Sequence, residues 1–317
     1  MKIIEEFGAI MLAVEHLSKT YTSGCFLSKA EVHAVRDVNF SIKSDEIFGL
    51  VGESGCGKTT LGKMLVRLLE PTGGRVKIGD LDVTSLKGAK LQRYWPNLQM
   101  IFQDPRSSLN PRMRIGDSLV EGLQLSGKKD LIEDTVQEII RSMNIREDIL
   151  SRYPHEVSGG EIQRIVIARA ISLNPALIVA DEPTSNLDLS VQAQILTLIK
   201  KIQKEHSIPC VLISHDIEVV KWMCDRIAVM LRGRVVEEGP TDDLIQNPLH
   251  PYTREIINAS LFCGKKAGSH NPEAFQTTDE GCPYKERCAM VKQECWSGEV
   301  QLIGDIHKVA CKLVGDN

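Results

Sequence analysis

The feature that most constrains the fold is a glycine-rich loop, GESGCGKTT, at residues 52–60. The loop follows the apolar run Ile47 to Val51 and precedes a helix-forming stretch, so it joins a predicted strand to a predicted helix. Glycine allows successive backbone N–H groups to turn toward an anion, and the N-terminus of the following helix adds a positive field. The pattern Gly-x4-Gly-Lys-Thr therefore predicts a phosphate-binding loop for a nucleoside triphosphate.

The residues of this loop have different predicted tasks. We expect Lys58 to reach the β- and γ-phosphates and the Thr59 hydroxyl to hold Mg²⁺. Cys56 is better explained as a small filler than as a nucleophile. The predicted nucleotide-contacting residues of the loop are Gly52, Ser54, Gly55, Cys56, Gly57, Lys58, Thr59 and Thr60.

Two further apolar runs end in residues that can do chemistry. The run at 176–180 is followed by Asp181 and Glu182, and the run at 210–213 is followed by a segment that contains His215. Continuous apolar runs are typical of strands covered on both faces, and parallel sheets bind ligands at the carboxyl ends of their strands. Asp181 is thus predicted to hold Mg²⁺, and Glu182 to position or deprotonate the attacking water.

A second pair of glycines lies ahead of another predicted helix, in SGGEIQR at residues 158–164. The N-terminus of that helix is a second place where an anion can bind. One nucleotide cannot easily use both helix termini of one chain. We therefore expect a dimer in which this terminus closes on the γ-phosphate bound by the partner.

Length and periodicity predict one large α/β domain with additions. The 317 residues, 42% of them hydrophobic, can bury a full core and leave material for a second unit. Apolar and polar residues alternate at 12–17 and 32–42, which predicts a small antiparallel sheet. The expected organisation is an ATPase domain over 11–260 with a helical subdomain at 104–157, a linker over 261–281, and a cysteine-rich region over 282–317.

Charge and hydropathy restrict the partners. The chain has 38 basic and 42 acidic residues, a net charge of −4, and no long basic run, so nucleic acid is not an expected partner. No apolar run approaches the roughly eighteen residues of a membrane span, and the N-terminus lacks a signal-peptide pattern. We therefore expect the chain to stay in the cytoplasm.

The order of these motifs resembles the ATP-binding-cassette (ABC) ATPases. GESGCGKTT corresponds to the Walker A loop of that family, LIVADE to its Walker B strand, and SGGEI to its signature motif. The resemblance implies an α/β P-loop NTPase fold with an antiparallel β subdomain, a mixed, mainly parallel RecA-like core and a helical subdomain. It also implies ATP as the nucleotide and Mg²⁺ as the metal.

The resemblance further implies roles for residues outside those motifs. Gln103 in MIFQDP matches the Q-loop glutamine, implied as a catalytic residue and Mg²⁺ ligand, and His215 matches the switch histidine at the γ-phosphate. Tyr21 stands where the family stacks an aromatic ring on adenine. The residues implied at the partner's nucleotide come from the signature and the D-loop: Ser158, Gly159, Gly160, Glu161 and Asp188.

Three residues depart from the family pattern. Glu161 replaces the usual signature glutamine, Asp45 replaces a glycine, and Asn186 replaces the commoner D-loop alanine. An additional carboxylate near a γ-phosphate can weaken binding of that anion. We therefore expect Glu161 to reduce the strength of the partner's nucleotide site.

Two longer stretches resemble one branch of the family. FQDPRSSLNPRMRIG and NPLHPYTREII are similar to ATPase subunits of dipeptide, oligopeptide and nickel importers, and the insertion at 22–30 to the second ATPase of such pairs. The resemblance implies a homologous second ATPase, two membrane permease subunits, an extracytoplasmic solute-binding protein, and a peripheral position on the cytoplasmic face of the membrane. The solute stays open among peptide, nickel chelate and sugar.

Other ATPases with the same motifs fit the sequence less well. Chromosome and DNA-repair ATPases carry hundreds of coiled-coil residues between Walker A and signature, and translation-factor ATPases carry two cassettes. This chain has a short separation and a single Walker A loop.

Four cysteines are clustered near the C-terminus: Cys282, Cys288, Cys295 and Cys311. Disulfides are disfavoured in the cytoplasm, so this clustering predicts a metal centre. Four thiolates suit structural zinc or an iron–sulfur cluster, and free thiols are the remaining alternative. The importer ATPases that this tail resembles bind a [4Fe-4S] cluster, so we expect a cluster, with Zn²⁺ as the alternative, and ATP binding nearly independent of the tail.

Overall fold

The computed structural model contains two β-sheets, nine α-helices and several short 3₁₀-helices in the part of the chain that it describes. The described residues are 10–23, 30–125, 132–185, 187–261 and 280–314. The strands are β1 (Ile10–Ser23), β2 (Ala30–Lys43), β3 (Ile47–Val51), β4 (Gly73–Ile78), β5 (Leu81–Asp82), β6 (Leu98–Ile101), β7 (Leu177–Asp181), β8 (Cys210–Ile213), β9 (Arg226–Leu231), β10 (Arg234–Pro240) and β11 (Lys308–Val309). The helices are α1 (Lys58–Leu65), α2 (Gly88–Tyr94), α3 (Ile115–Leu125), α4 (Ile132–Ser142), α5 (Gly159–Ser172), α6 (Leu189–His206), α7 (Ile217–Met223), α8 (Thr241–Gln246) and α9 (Pro251–Leu261).

The smaller sheet has four antiparallel strands in the order β2-β1-β4-β5. Leu12 of β1 faces Ile42 of β2, and both side chains are fully buried. The alternation of apolar and polar residues buries one face of these strands, as half-covered antiparallel strands require. This confirms the predicted antiparallel sheet.

The larger sheet has seven strands in the order β11-β10-β9-β3-β8-β7-β6. The strands from β9 to β6 run parallel, while β10 and β11 run antiparallel to their neighbours. All residues of β3, β7 and β8 are buried, which explains their continuous apolar sequences. Because these three strands are adjacent and parallel, the residues that follow them meet at one edge of the sheet.

Helices cover the larger sheet closely. At Gly62 of α1, an added Cβ atom would lie 2.8 Å from the Ile213 side chain of β8, so the glycine lets the helix approach the strand. The helices α3 and α4 lie within residues 104–157, where the sequence predicts a helical subdomain, and both pack against α5. No helix among the described residues is long and apolar enough to cross a membrane.

The cysteine-rich region continues the larger sheet. Glu237 of β10 pairs with Val309 of β11, and the Ala310 N–H donates to the Val236 carbonyl at 2.8 Å. The sequence placed this region beyond the ATPase domain, because a two-residue strand has no periodicity to detect. Helix α9 extends to Leu261, where the linker was predicted to begin, and 262–279 of that linker lie outside the described residues.

Candidate functional site

The glycine-rich loop curves tightly between β3 and α1. Gly57 immediately precedes α1 with φ 111°, and an added Cβ atom would lie 2.2 Å from the Ala34 carbonyl oxygen. A Cβ atom on Gly52 would lie equally close to the Met230 carbonyl oxygen, at 2.2 Å. Both positions therefore require glycine, as a loop that wraps an anion with its backbone does.

The Lys58 ammonium lies at the mouth of this loop. Its Nζ donates to the carbonyl oxygens of Gly52 at 2.7 Å and Glu53 at 2.8 Å, and lies 3.7 Å from the Cys56 sulfur. These three acceptors are neutral groups, so the hydrogen bonds hold the ammonium in place without cancelling its charge. Lys58 is also the first residue of α1, whose N-terminal N–H groups favour an anion at the same point.

Cys56 is buried inside the loop. Burial raises the pKa of its thiol, so the group stays protonated. The Cys56 carbonyl also accepts the Gly233 N–H at 2.8 Å, which ties the loop to the β9–β10 turn. Its burial is in keeping with the predicted filler role.

Asp181 ends β7 beside the start of α1. Burial raises the pKa of this carboxyl, and a hydrogen bond from the Thr59 side chain acts in the opposite direction. The Asp181 carboxylate and the Thr59 hydroxyl are oxygen donors of the kind that Mg²⁺ prefers. These two residues fit the ion that the sequence predicted there.

Glu182 has a left-handed backbone conformation, with φ 46°, directly after the strand. A non-glycine residue in this region carries strain of about 1–3 kcal/mol, and such residues cluster at functional sites. Its two carboxylate oxygens have separate partners: Gln103 Nε2 donates to Oε2 at 2.8 Å, and His215 Nδ1 lies 2.9 Å from Oε1. The carboxylate is thus fixed in orientation from two sides.

These groups surround one cleft of about 490 Å³. Its lining residues are Ala34, Ser54, Gly55, Gly57, Lys58, Thr59, Thr60, Gln103, Asp181, Glu182 and His215. The cleft therefore combines a positively charged anion cradle with two carboxylates and an imidazole. Such a combination can bind a polyphosphate with a divalent cation and place a water molecule beside a carboxylate.

The other predicted nucleotide residues lie elsewhere. Tyr21 is on β1, 42% exposed, with the Lys19 ammonium 5.3 Å from its ring, and is not among the residues that line the cleft. Ser158 and Asp188 are the N-caps of α5 and α6. Gly159, Gly160 and Glu161 form the first turn of α5 and likewise do not line the cleft of their own chain.

Glu161 is engaged in contacts within its own chain. Its Oε2 accepts from the Ser158 hydroxyl at 2.6 Å and the Ser158 N–H at 3.1 Å, and its Oε1 lies 3.0 Å from an Arg146 nitrogen. The Ser158 hydroxyl, more than any other contact, lowers the pKa of Glu161, so this carboxylate is ionised at neutral pH. By accepting the Ser158 N–H, the Glu161 carboxylate also completes the N-terminal cap of α5, as a glutamine at the same position can.

The four C-terminal cysteines lie close to one another. Cys282, Cys295 and Cys311 are buried, and Cys288 is partly buried. Burial raises the pKa of Cys282, and the charges of the other three thiolates raise it further. Among the described residues, no group of three or more His, Cys, Asp or Glu side chains is placed so that it could hold a metal ion, so the arrangement of these cysteines does not itself support the metal centre that their clustering predicts.

Sequence reasoning missed residues that support the phosphate loop from outside it. Tyr252 is fully buried, and its hydroxyl accepts the Glu53 N–H at 3.1 Å; Arg287 lies 2.8 Å from the Glu53 carboxylate. Tyr252 belongs to the NPLHPYT stretch, so a motif marked it without revealing its contact. Nothing in the sequence around Arg287 points to a residue so far away along the chain.

Comparisons with known proteins agree with this geometry. The family model described as ABC transporter matches residues 35–185, and the one described as oligopeptide/dipeptide transporter, C-terminal region, matches 236–295. The oligopeptide transport ATP-binding protein OppF of Bacillus subtilis is 43% identical over 78% of this chain and 82% of its own length. The putative oligopeptide transport ATP-binding protein YkfD of the same organism is 40% identical over 96% of this chain and 95% of its own.

The chain belongs to the oligopeptide/dipeptide family of ABC transporter ATP-binding proteins. Solved structures agree with that assignment. The dimeric ATP-binding cassette MJ0796, in a post-hydrolysis state with ADP and Pi, has a TM-score of 0.64 and 28% identity, covering 73% of this chain and 99% of its own. The CbiO1 protein of Clostridium perfringens has a TM-score of 0.65 and 26% identity, covering 75% of this chain and 91% of its own. This ABC ATPase therefore has a P-loop NTPase fold with an antiparallel subdomain and a mixed core.

Proposed function

We propose that this ABC ATPase energises the import of peptides by hydrolysing ATP in the cleft beside Lys58. The observation that carries the proposal is the position of Glu182, held by Gln103 and His215 at the mouth of a phosphate loop. The relatives described above are named for oligopeptide transport, which supports peptides as the solute. The alternative is a nickel or metal-chelate importer of the same family.

Each residue of the cleft has a physical task in this proposal. Lys58 and the N-terminus of α1 bind the phosphates, while Thr59, Asp181 and Gln103 hold Mg²⁺. When bound, the ion neutralises charge on the phosphate oxygens. Glu182 accepts a hydrogen bond from the attacking water and aims it at the γ-phosphate.

Gln103 and His215 are catalytic through their contacts around this carboxylate. Gln103 Nε2 donates a hydrogen bond to one Glu182 oxygen, so the carboxylate cannot rotate freely. His215 is 66% exposed in its side chain, against 19% for Glu182, so the imidazole can also reach a bound γ-phosphate from the open side. Pre-organisation of this kind lowers the cost of reaching the transition state.

The second half of each site comes from a homologous ATPase subunit. Ser158, Gly159, Gly160, Glu161 and Asp188 lie away from the cleft of their own chain and serve the nucleotide of the partner. The dimer of the related cassette MJ0796 supports this arrangement. Two permease subunits and an extracytoplasmic binding protein complete the transporter, and this chain lies peripherally on the cytoplasmic face of the membrane.

Other predicted features fit the same assembly. The Tyr21 ring is exposed on β1 and available to stack on adenine. We place the ATPase domain at 11–260 with its helical subdomain at 104–157, the linker at 261–281 and the cysteine-rich region at 282–317. The contact between β10 and β11 joins the last of these regions to the first.

The cysteine-rich region is proposed to hold a [4Fe-4S] cluster, with Zn²⁺ as the alternative. Three of its four thiols are buried, and burial raises the pKa of Cys282 and of Cys311. A bound metal would stabilise the thiolate form of these residues, and Cys282, Cys288, Cys295 and Cys311 would be the ligands of a cluster. The preference for a cluster over zinc is supported by the resemblance of this tail to that of the importer ATPases.

Reconstitution tests the proposed import function. The chain, its partner ATPase and the permeases are placed in lipid vesicles, and uptake of labelled peptides and of a nickel chelate is followed with ATP supplied to the ATPase side. Peptide uptake that depends on ATP and on the binding protein supports the proposal. Uptake of the nickel chelate alone selects the alternative, and ATP hydrolysis that no loaded binding protein stimulates contradicts import.

A further inference from the structure

One arginine joins the cysteine-rich region to the phosphate loop. Arg287 immediately precedes Cys288, and its guanidinium lies 2.8 Å from a carboxylate oxygen of Glu53. The same guanidinium lies 2.5 Å from a carboxylate oxygen of Glu255 on α9. Glu53 follows the first glycine of the loop, so Arg287 links the loop, α9 and the tail.

Glu53, which pairs with Arg287, also helps to place the phosphate-binding ammonium group of Lys58. The Glu53 carbonyl accepts from Lys58 Nζ at 2.8 Å, and the Glu53 N–H donates to the Tyr252 hydroxyl at 3.1 Å. Movement of Glu53 would therefore displace an acceptor of Lys58. The path from Arg287 to the phosphate-binding ammonium passes through a single residue.

The support around Arg287 is aromatic and closely packed. Its guanidinium lies 5.4 Å from the ring centroid of Tyr284 and 6.0 Å from that of Tyr252, and the two ring centroids are 5.6 Å apart. The Tyr284 hydroxyl donates to Glu255, so the second carboxylate is held from both sides. Stacking and paired hydrogen bonds fix a guanidinium in one orientation, as they cannot fix a lysine ammonium.

The same arginine belongs to the turn between two of the cysteines. The Lys285 N–H donates to the Cys282 carbonyl at 3.2 Å, and the N–H groups of Arg287 and Cys288 both donate to the Tyr284 carbonyl at 3.0 Å. The Cys282 N–H in turn donates to the Cys295 carbonyl at 2.9 Å. The turn that carries Arg287 is therefore bonded through its backbone to two of the cysteines, so a change in the position of either cysteine would be passed to Arg287.

An isolated ion pair on a protein surface contributes little to stability. The pair here differs because the Arg287 side chain is only 20% exposed and contacts two carboxylates and two rings. Its two carboxylates belong to segments that are distant in sequence. A network of this kind fixes the positions of these segments relative to one another. One of the segments is the loop that binds the phosphates.

We propose that Arg287 is a positioning residue for the phosphate-binding loop, and that through it the cysteine-rich region sets the affinity of the cleft for ATP. The link to the thiols rests on the metal centre proposed above, whereas the link from Arg287 to Glu53 does not. The affinity can be measured without permeases or peptide, so a failure here is separate from a failure of the import function.

The test is a set of substitutions in the full-length, metal-loaded chain, with Mg²⁺-ATP binding measured by calorimetry. Arg287→Gln is expected to weaken ATP binding by up to about fivefold, the factor that corresponds to the upper end for a partly exposed ion pair. In the assembled transporter the KM for ATP should rise by a similar factor, with a smaller change in kcat. Glu53→Gln should have a similar effect, and the double variant should be no weaker than either single one, because the residues act as a pair.

The matched control is Lys308→Gln, which removes another contact between tail and core: the 3.9 Å ion pair with Glu238 at β10. It should leave ATP affinity unchanged. Unchanged affinity in Arg287→Gln, additive effects of the two substitutions, or an equal loss in Lys308→Gln would each overturn the positioning role. Removing the metal from the wild-type chain by chelation gives a second measurement that needs no variant.

Chelation should weaken ATP binding by the same factor as Arg287→Gln, and chelation of the Arg287→Gln chain should add nothing. Unchanged affinity after metal removal from the wild-type chain would overturn the coupling to the thiols. Metal removal from the wild-type chain needs no substitution, so it still tests the coupling if Arg287→Gln does not fold.

Discussion

The nucleotide cleft and the cysteine-rich region differ in what surrounds their ionisable side chains. In the cleft, Glu182 has a partner on each carboxylate oxygen, and Lys58 is held by backbone carbonyls. In the cysteine-rich region, burial and the neighbouring thiolates raise the pKa of Cys282 and Cys311. The protein thus holds the groups of the first site with its own side chains and backbone, whereas the metal centre proposed for the second would need a bound cation to keep its cysteines as thiolates. The shape of the cleft should therefore survive loss of ligand better than that of the tail.

Among substitutions in the cleft, Lys58→Ala is expected to cause the largest loss of ATP affinity. Hydrogen bonds to charged groups contribute about 1.5–3 kcal/mol each, so losing the contacts to two phosphates should weaken ATP binding about 100-fold or more. Calorimetry with Mg²⁺-ATP measures the change. The control is Lys90→Ala, which removes the same charge from an exposed position on α2. Wild-type affinity in Lys58→Ala would contradict the assignment of the loop.

Cys295→Ser tests the metal centre proposed for the cysteine-rich region. Losing one thiolate should release the metal and melt much of 280–314, since ligation contributes most of the folding free energy of small metal-binding segments. Anaerobic iron and zinc analysis and thermal unfolding measure the effect. The sequence alone predicted that ATP binding would stay nearly intact. The contact between Arg287 and Glu53 predicts a modest weakening instead.

The control for this substitution is Cys224→Ser, which alters a buried thiol outside the cluster. It should leave the metal content unchanged even where it lowers stability. Wild-type protein without iron or zinc, with four thiols free to titrate, would contradict the metal centre, and one zinc per chain would replace the cluster.

Glu161→Gln should have the smallest effect, because Arg146 already compensates the carboxylate. Glutamine can keep the helix cap, so stability should not change. Turnover at the partner's nucleotide should rise about two- to threefold, in line with removal of one screened charge. Arg146→Gln should lower turnover, since it exposes the same charge. An unchanged rate in both variants would show that Glu161 does not act on the nucleotide.

Local sequence predicted the strands and the cleft far better than it predicted how the tail is attached. The antiparallel sheet followed from alternation, and the buried strands β7 and β8 followed from continuous apolar runs, because burial on one or both faces leaves a pattern within a few residues. The positions of Asp181, Glu182 and His215 followed from the ends of those strands.

Contacts between distant segments leave no such pattern. The pairing of β11 with β10 rests on two residues, and the Arg287–Glu53 pair joins residues 234 apart in sequence. The contact of Glu161 with Arg146 was missed for the same reason, and it changes the expected size of the Glu161 effect. These features depend on the folded arrangement of the whole chain.

The most direct test of the central claim is ATP turnover by the reconstituted transporter when this chain carries Glu182→Gln. The change keeps the shape of the side chain and its contact with Gln103, but removes the carboxylate that orients the water, so ATP binding should persist while turnover falls about 100-fold or more. Glu218→Gln, at an exposed position on α7, is the control. We expect a closed, ATP-loaded complex with almost no hydrolysis at this site; near-normal turnover would contradict the role of Glu182.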